Sequence, residues 1–591
     1  MKDFFKFMFA SMLGLFIMSV IVIFVFMGIV ISFASSMEKD KIEVAENTLL
    51  HIKLNTEIVD RTPADPFSGF DFATMEPNKS MGLNDILKNL DKAARDENIM
   101  GIYLDLSGVY AGPATILEIR DALVKFKESG KFMIAYSEVY TQGSYYLAST
   151  ADKIYMNPEG MMDFHGLSAE LMFFKGTLEK LDMDMQIIRH GKYKSAVEPF
   201  MLDKMSPENR EQIMALVDGI WGSIIQSISG SRNVSIEELN RVADGLLIQN
   251  PEDAVELGFV DELKYKDQIL AELKTLLNIE EDDKIKSVTL AKYSQAPDPI
   301  KKRPNRKNKI AVVYALGEIV SGKGSDEIIG SERISKAIRK ARNDDKVKAI
   351  VMRVNSPGGS ALASDVILRE VKLASQEKPF IISMGDVAAS GGYYIACAAD
   401  RIFASPTTIT GSIGVLGMIP NLEETMKDKL GITFDYAMTN KNSNFMSTFR
   451  PLTGYQKKVI TGYIEDVYDT FVDHVSDGRD MTWAQVDEIG QGRVWVGSDA
   501  YDVGLIDEFG GLTASIDYAA EVAGIDSYVL KELPEQEDPF EELFKEIMGQ
   551  ASVESYLKGE LGENYRMYQY LKYWQNAKGV QARLPYDIYI N

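Results

Sequence analysis

Cysteine and histidine are nearly missing from this chain. Of its 591 residues only Cys397 is a cysteine, and four are histidines (His51, His165, His190 and His474). A lone cysteine excludes an intrachain disulfide framework and any cysteine-rich metal site. Its small apolar neighbours mark Cys397 as a packing residue. The histidines show neither HExxH nor another ligand spacing, which argues against a zinc enzyme; no metal and no cofactor is expected. Positive charge is also short. A net charge of −23 speaks against nucleic acid as a main partner, because phosphate binding needs clustered Lys and Arg. What remains is the material of a folded protein, 46% hydrophobic and 26% charged. The length exceeds what one core supports, so two to four domains are expected.

One long uncharged run is present, Phe7 to Ala34. It exceeds the ~20 residues that cross a bilayer. A cleavable signal has a shorter apolar core and a small-residue cleavage site, whereas ISFASSMEK at the end of this run has no clean A-x-A. The expectation is an uncleaved anchor. Lys2 and Lys6 precede it and Glu38, Lys39, Asp40 and Lys41 follow, a slight positive-inside bias that puts the N-terminus inside and the body outside the cytoplasmic membrane.

The body carries the same passage twice. IYLDLSG (Ile102–Gly108) recurs as IVMRVNSPGG (Ile350–Gly359), and LKNLDKAARDENIMG (Leu87–Gly101) recurs as SKAIRKARNDDKVKA (Ser335–Ala349), a periodic helix leading into that strand. TQGSYYLASTADKIYMNP (Thr141–Pro158) recurs as ASGGYYIACAADRIFASP (Ala389–Pro406), close to 248 residues later. PEDAVELGFVDE (Pro251–Glu262) recurs as GSDAYDVGLIDE (Gly497–Glu508), and HIKLNTEIV (His51–Val59) matches VVYALGEIV (Val312–Val320). Five blocks in one order are a duplication. Each repeat alternates strands and helices, which predicts an α/β unit on mostly parallel strands. Long helices are expected at Met205–Ser229, where Ser206 with Glu208 and Glu211 nearby reads as a capping signal, and at Gly454–Ser476. The resulting division is 1–45 anchor, 46–293 first repeat, 294–308 linker, 309–531 second repeat and 532–591 tail, whose last stretch, LPYDIYIN, reads as an added edge strand.

Chemistry is suggested by what the repeats do not share. PFIISM (Pro379–Met384) reads as a buried strand and Tyr393 to Ala399 as a packed helix, so Ser390 stands where strand turns into helix. Locally that position reads as an N-cap. The first repeat keeps the same framework but has Gln142 there. The first repeat contains GKYKSAVEPF (Gly191–Phe200); at the same spacing the second has TNKNSNFMST (Thr439–Thr448), with Asn442 opposite Lys194 and Ser443 opposite Ser195. One copy holds a serine without the lysine, the other a lysine without the serine. That complementarity points to one composite Ser–Lys site, Ser390 the nucleophile and Lys194 the base that accepts its proton once desolvation has lowered its pKa. Such a site needs oxyanion donors. NSPGGS (Asn355–Ser360) ends a strand with consecutive glycines, making Gly358 or Gly359 together with Gly391 the candidates. Ser412 in TGSIGV is a candidate orienting hydroxyl for the lysine. Tyr393 and Ile413 are candidates for the substrate pocket, with core packing an equal reading of both.

Through the anchor, the two repeats, NSPGG, ASGGYY, TGSIG and YKSAVEP, nearly the whole chain resembles the long form of the signal peptide peptidase A family, also called protease IV. The resemblance implies tandem Clp protease/crotonase-like domains behind an N-terminal transmembrane helix. It further implies a membrane-bound serine endopeptidase with a Ser–Lys dyad on Ser390 and Lys194, a tetrameric assembly, and apolar peptides as substrates, namely cleaved signal peptides at the extracytoplasmic face. Two other readings stay open at this level, a crotonase-like acyl-CoA enzyme and an inactive or chaperone-like scaffold that binds membrane peptides. A Ser–His pair with His190, the histidine nearest in sequence to the lysine segment, is a further one, although His190 lies four residues from Lys194, more than ~10 Å on an extended segment.

Overall fold

The computed structural model describes residues 43–63, 81–299, 305–536 and 581–583, with short pieces at 6–8, 11–18, 21, 70–71 and 76–77. Most of the run Phe7 to Ala34, part of the linker and most of the tail lie outside the described residues. The described part of the apolar run is helical, with Leu13, Leu15 and Phe16 exposed. Among the described residues one helix is long and apolar enough to cross a membrane, Pro207–Arg232. Its side chains are spent on the body instead: Ile213, Leu216, Val217 and Ile220 pack on Ala389, Ile409, Val494 and Val496 of the second repeat, and Ile225 and Ile228 join the first repeat's core.

The duplication is written in the sheets. In the first repeat five parallel pairings order the strands as Glu262–Leu263, Lys153–Met162, Phe132–Tyr140, Ile99–Asp105, Thr48–Ile52 and Ser287–Thr289. In the second the same path runs Glu508–Phe509, Arg401–Ala404, Phe380–Ala389, Val347–Ser356, Lys309–Leu316 and Val529–Leu533, again parallel throughout. Parallel strands buried on both faces read as apolar runs; Ile350, Met352 and Val354 on one face and Ala349 and Val351 on the other enter separate cores. The second sheet also branches where the far end of Phe380–Ala389 pairs with Ile409–Gly411, which in turn pairs antiparallel with Val494–Val496.

Several boundaries move from the sequence reading. The helices before the matched strands are Leu83–Arg95 and Ser331–Arg342, so Leu87–Gly101 and Ser335–Ala349 each span a helix end, a turn and a strand start. The strand expected over Pro379–Met384 continues to Ala389, because Asp386, the one charge in it, is held by the other repeat. The long helices run Pro207–Arg232 and Gly454–Arg479; Ser206 caps the first by accepting from Asn209 N. In the tail, LPYDIYIN lies outside the described residues, and the strand found is Gln581–Arg583 just before it. That strand lies antiparallel to Gly358–Ser360 on one side and meets Leu416 of Leu416–Asn421 on the other.

The two repeats are locked by buried polar contacts. Arg353, fully buried, sets Nε 2.6 Å from Asp60 Oδ1 and Nη2 2.7 Å from Glu118 Oε1, both carboxylates belonging to the first repeat. Its Nη1 donates to Ser383 Oγ and Met384 O, each at 3.0 Å. Glu118 Oε2 also accepts from Leu512 N at 2.7 Å. Asp386 accepts from Ala114 N (2.9 Å), Thr115 N (3.0 Å) and Thr115 Oγ1 (2.6 Å), capping the first-repeat helix Pro113–Lys127 from four residues ahead of Ser390. Removing one partner of a buried ion network strands the others, at a cost of about 3–5 kcal/mol. Arg353→Met is therefore expected to lower the thermal unfolding midpoint severely, and a midpoint equal to the parent's would show that the network contributes no net stability.

Candidate active site

Ser390 sits on a sharp turn between the strand Phe380–Ala389 and the helix Gly391–Ala396. Its backbone, at φ 54° and ψ −115°, occupies a region that costs a non-glycine residue about 1–3 kcal/mol. The turn is held at both ends: Ser390 N donates to Gly411 O at 2.8 Å, and Tyr394 N donates to Ser390 O at 2.8 Å. A Cβ on Gly392 would stand 2.7 Å from Ser356 O, so this first helical turn lies directly on the end of the neighbouring strand. The hydroxyl makes no capping hydrogen bond. It faces Lys194.

Lys194 belongs to a tight loop after the strand Asp184–Arg189, which pairs antiparallel with Leu416–Asn421 of the other repeat. Gly191 has φ 93°, and a Cβ there would fall 2.3 Å from Gln491 O; Tyr193 N donates to that same oxygen at 3.0 Å. The lysine stem then runs between two glycines. A Cβ on Gly492 would lie 2.6 Å from Lys194 Cβ, and one on Gly414 would lie 3.2 Å from its Cδ. The side chain is fully buried. Its Nζ lies 2.9 Å from Ser390 Oγ, 2.9 Å from Ser412 Oγ and 3.1 Å from Ser412 O. Both partners are in the same chain, 196 positions apart.

Among the described residues no carboxylate pairs with this nitrogen, and burial alone pushes its pKa well below the ordinary lysine value. The hydrogen count of a neutral amine fits the surroundings. Two N–H groups match Ser412 O and Ser412 Oγ, which leaves the lone pair for the Ser390 hydroxyl. Ser412 itself is at φ 52°. It is fixed by Ser412 N donating to Arg493 O (2.6 Å) and by Oγ donating to Gly492 O (3.4 Å).

The other candidates divide. Gly358 and Gly359 form the short strand against which the helix Gly391–Ala396 packs, and Gly358 N donates to Ser356 Oγ at 3.1 Å. Gly391 opens that helix directly after the serine. Tyr393 and Ile413 lie in the core; Tyr393 donates its hydroxyl to Leu505 O at 2.9 Å, so the core reading holds for both. Cys397 is buried, and burial pushes its thiol up to about 12. His190 stacks on Tyr468, ring centroids 3.8 Å apart, and has no contact with Ser390. In the first repeat Gln142 fills the corresponding corner. Its Oε1 accepts from His165 N (3.0 Å) and Gly166 N (2.8 Å), and its Nε2 donates to Gly166 O (2.9 Å). Asn442, opposite Lys194 in the repeat, sits in an exposed stretch and accepts from Gln456 Nε2. Sequence reasoning missed Gln212, Arg353 and Asp386.

The chain is similar to several known proteins. The model of peptidase family S49 matches the chain twice, at residues 125–280 and 372–526. "Protease 4" of Haemophilus influenzae is 36% identical over 528 residues, 86% of this chain and 85% of that one. "Serine protease SPPA, chloroplastic" of Arabidopsis thaliana is 34% identical over 517 residues, 86% of this chain and 74% of that one. Among solved structures, ClpP1 from Listeria monocytogenes aligns with 34% of this chain and 91% of its own at 16% identity and a TM-score of 0.23.

A lysine with a depressed native pKa makes its own signature in stability. Above the unfolded-state pKa of ~10.4 both states are neutral and the group contributes nothing. As the pH falls below that value the unfolded chain gains a proton that the native site refuses, so native stability drops until the lowered native pKa is reached. Lys194→Met lacks this term. Its unfolding midpoint should exceed the parent's at pH 7, with the gap closing as the pH rises to 10. A gap independent of pH would mean that Lys194 is charged in the native protein.

Proposed function

Because this chain belongs to peptidase family S49 and is a serine protease of it, we propose that it cuts peptides through a Ser390–Lys194 dyad. The contact of 2.9 Å between Nζ and Ser390 Oγ, made by a fully buried lysine with no carboxylate partner among the described residues, carries the proposal. Ser390 Oγ attacks the scissile carbonyl as its proton passes to the Lys194 lone pair. The resulting ammonium is stabilised by Ser412 O and Ser412 Oγ, which already accept from this nitrogen. The tetrahedral oxyanion takes the Gly391 N–H with Gly358 or Gly359; Gly358 would exchange its bond to Ser356 Oγ for it. On collapse the C–N bond breaks and the leaving amine takes the proton from Lys194. Water then attacks the acyl-enzyme with Lys194 again as base, releasing the carboxylic acid and restoring Ser390.

The substrate reading is of extended apolar peptides. Gln581–Arg583 lies in a strand-wide place between Gly358–Ser360 and Leu416, and a peptide bound there would gain main-chain hydrogen bonds in the same way. The apolar run Phe7–Ala34 supports a single-pass anchor, with the body on the extracytoplasmic side as the flanking lysines suggest. Tethering concentrates the enzyme where cleaved signal peptides remain, in the same membrane. Assembly as a homo-tetramer belongs to this reading too. A peptide-binding scaffold has no use for a neutral buried lysine against a strained serine, and thioester chemistry leaves the Ser–Lys complementarity of the repeats unexplained.

Ser390→Ala and Lys194→Ala are each expected to cut kcat/KM on an apolar peptide roughly 10⁴-fold or more, with circular dichroism unchanged. Wild-type kcat/KM should fall as the pH drops through the lowered lysine pKa. Full activity in either folded variant refutes the dyad.

A further inference from the structure

One buried amide connects the lysine loop to a strand paired with Ile409–Gly411, the strand that leads into Ser412. Gln212 lies on the helix Pro207–Arg232 and is completely buried. Its Nε2 donates to Ser195 Oγ at 2.6 Å and to Tyr193 O at 3.2 Å, the residues on either side of Lys194, and lies 3.1 Å from Asn209 Oδ1. Its Oε1 accepts from Val494 N at 3.2 Å. Val494 is in the second repeat and pairs with Gly411. Gly411 accepts from Ser390 N and is followed by Ser412. A single side chain thus spans the lysine loop and the strand pair that fixes Ser390 and Ser412.

From this geometry we propose that Gln212 is a positioning residue, holding the Lys194 nitrogen at hydrogen-bond distance from Ser390 and closed to water. The proposal rests on the Ser390–Lys194 reading and deepens it.

Three further observations support the assignment. The rest of the loop's polar surroundings back Gln212: Asn209 Nδ2 donates to the buried Glu198 Oε2 at 2.9 Å, and Ser206 Oγ donates to Glu198 Oε1 at 2.6 Å. The nearby charges contact the loop elsewhere. Arg189 donates to Lys194 O at 3.0 Å and stands 3.8 Å from Glu198, while Glu211 and Arg493 meet each other and the Tyr193 ring and hydroxyl, so none of them fixes Nζ. The duplication supplies a control as well. Setting the helices Pro207–Arg232 and Gly454–Arg479, each of 26 residues, start to start puts Gln456 opposite Asn209 but Val459 opposite Gln212. The repeat without the lysine has no amide at this place.

The test is Gln212→Leu, close in size but without donor or acceptor, in the full-length protein, beside Ile213→Val from the same helix as a packing control. A misplacement on the order of 1 Å at a catalytic group costs up to about 10²-fold. Gln212→Leu should therefore lower kcat about tenfold or more while KM stays within about twofold. The acid limb of its kcat/KM profile should move to higher pH, as water reaches the amine and its pKa recovers. Ile213→Val should lower the unfolding midpoint without moving that limb. Gln212→Glu, which still accepts from Val494 N but offers no N–H to Tyr193 O, is read in the same way should Gln212→Leu not fold. An acid limb and kcat equal to the parent's in the folded variant, or an equal shift in Ile213→Val, overturns the proposal. Activity surviving in Lys194→Ala overturns the dyad instead; loss in Lys194→Ala beside an unaffected Gln212→Leu overturns only the role of Gln212.

Discussion

Burial without a carboxylate partner among the described residues pushes Lys194 toward its neutral form, and the site is organised around that constraint. Desolvating an ammonium costs several kcal/mol unless the proton leaves. Here the nitrogen has two acceptors from Ser412, a hydroxyl from Ser390 and no carboxylate partner among the described residues. The hydrocarbon stem is equally committed, since side chains at Gly414 or Gly492 would occupy its path. The serine needs no unusual acidity of its own in such a setting. A neutral amine at this place has a lone pair free for the Ser390 hydroxyl, and water reaching it would favour the charged form again.

Such a site has to lie between two bodies, and duplication provides them. Each repeat alone has one half of the pair. In the first, Gln142 fills the serine corner with three hydrogen bonds to His165 and Gly166, so that corner is polar and satisfied. In the second, the segment matching the lysine loop has become an exposed stretch around Asn442. Loss on both sides was tolerable because the lysine loop of one repeat reaches the serine of the other. The antiparallel pairing of Asp184–Arg189 with Leu416–Asn421 carries it there, in a register fixed over six residue pairs.

The parts legible in the sequence were those that local pattern or internal comparison reveals. The build of each repeat as an α/β unit on mostly parallel strands followed from alternating apolar strands and periodic helices, and the meeting of Ser390 with Lys194 from a serine and a lysine that each appear in only one copy. Gln212 was not legible, because an amide in a helix stripe looks like any surface glutamine until its partner Val494, 282 positions away, is known. Arg353 in an otherwise apolar strand was hidden for the same reason, its carboxylates standing on the other repeat. The strand Phe380–Ala389 was read short because its apolar run stops at Met384, before Gly385 and Asp386. It is instead an N-cap supplied from another domain.

These hidden contacts also explain how the site tolerates its own strain. A non-glycine residue at φ 54° and a lysine held out of water both work against folding. Neither is relieved locally. The strand bearing Ser390 is gripped on its way to the turn by Asp386 against the helix Pro113–Lys127 and, through Ser383 and Met384, by Arg353. Every one of those grips has its other end in, or ties back to, the first repeat. These contacts between the repeats add to the second repeat's own bonds at the turn, from Ser390 N to Gly411 O and from Tyr394 N to Ser390 O. If the halves separated, Lys194 would be hydrated and its contact with Ser390 lost.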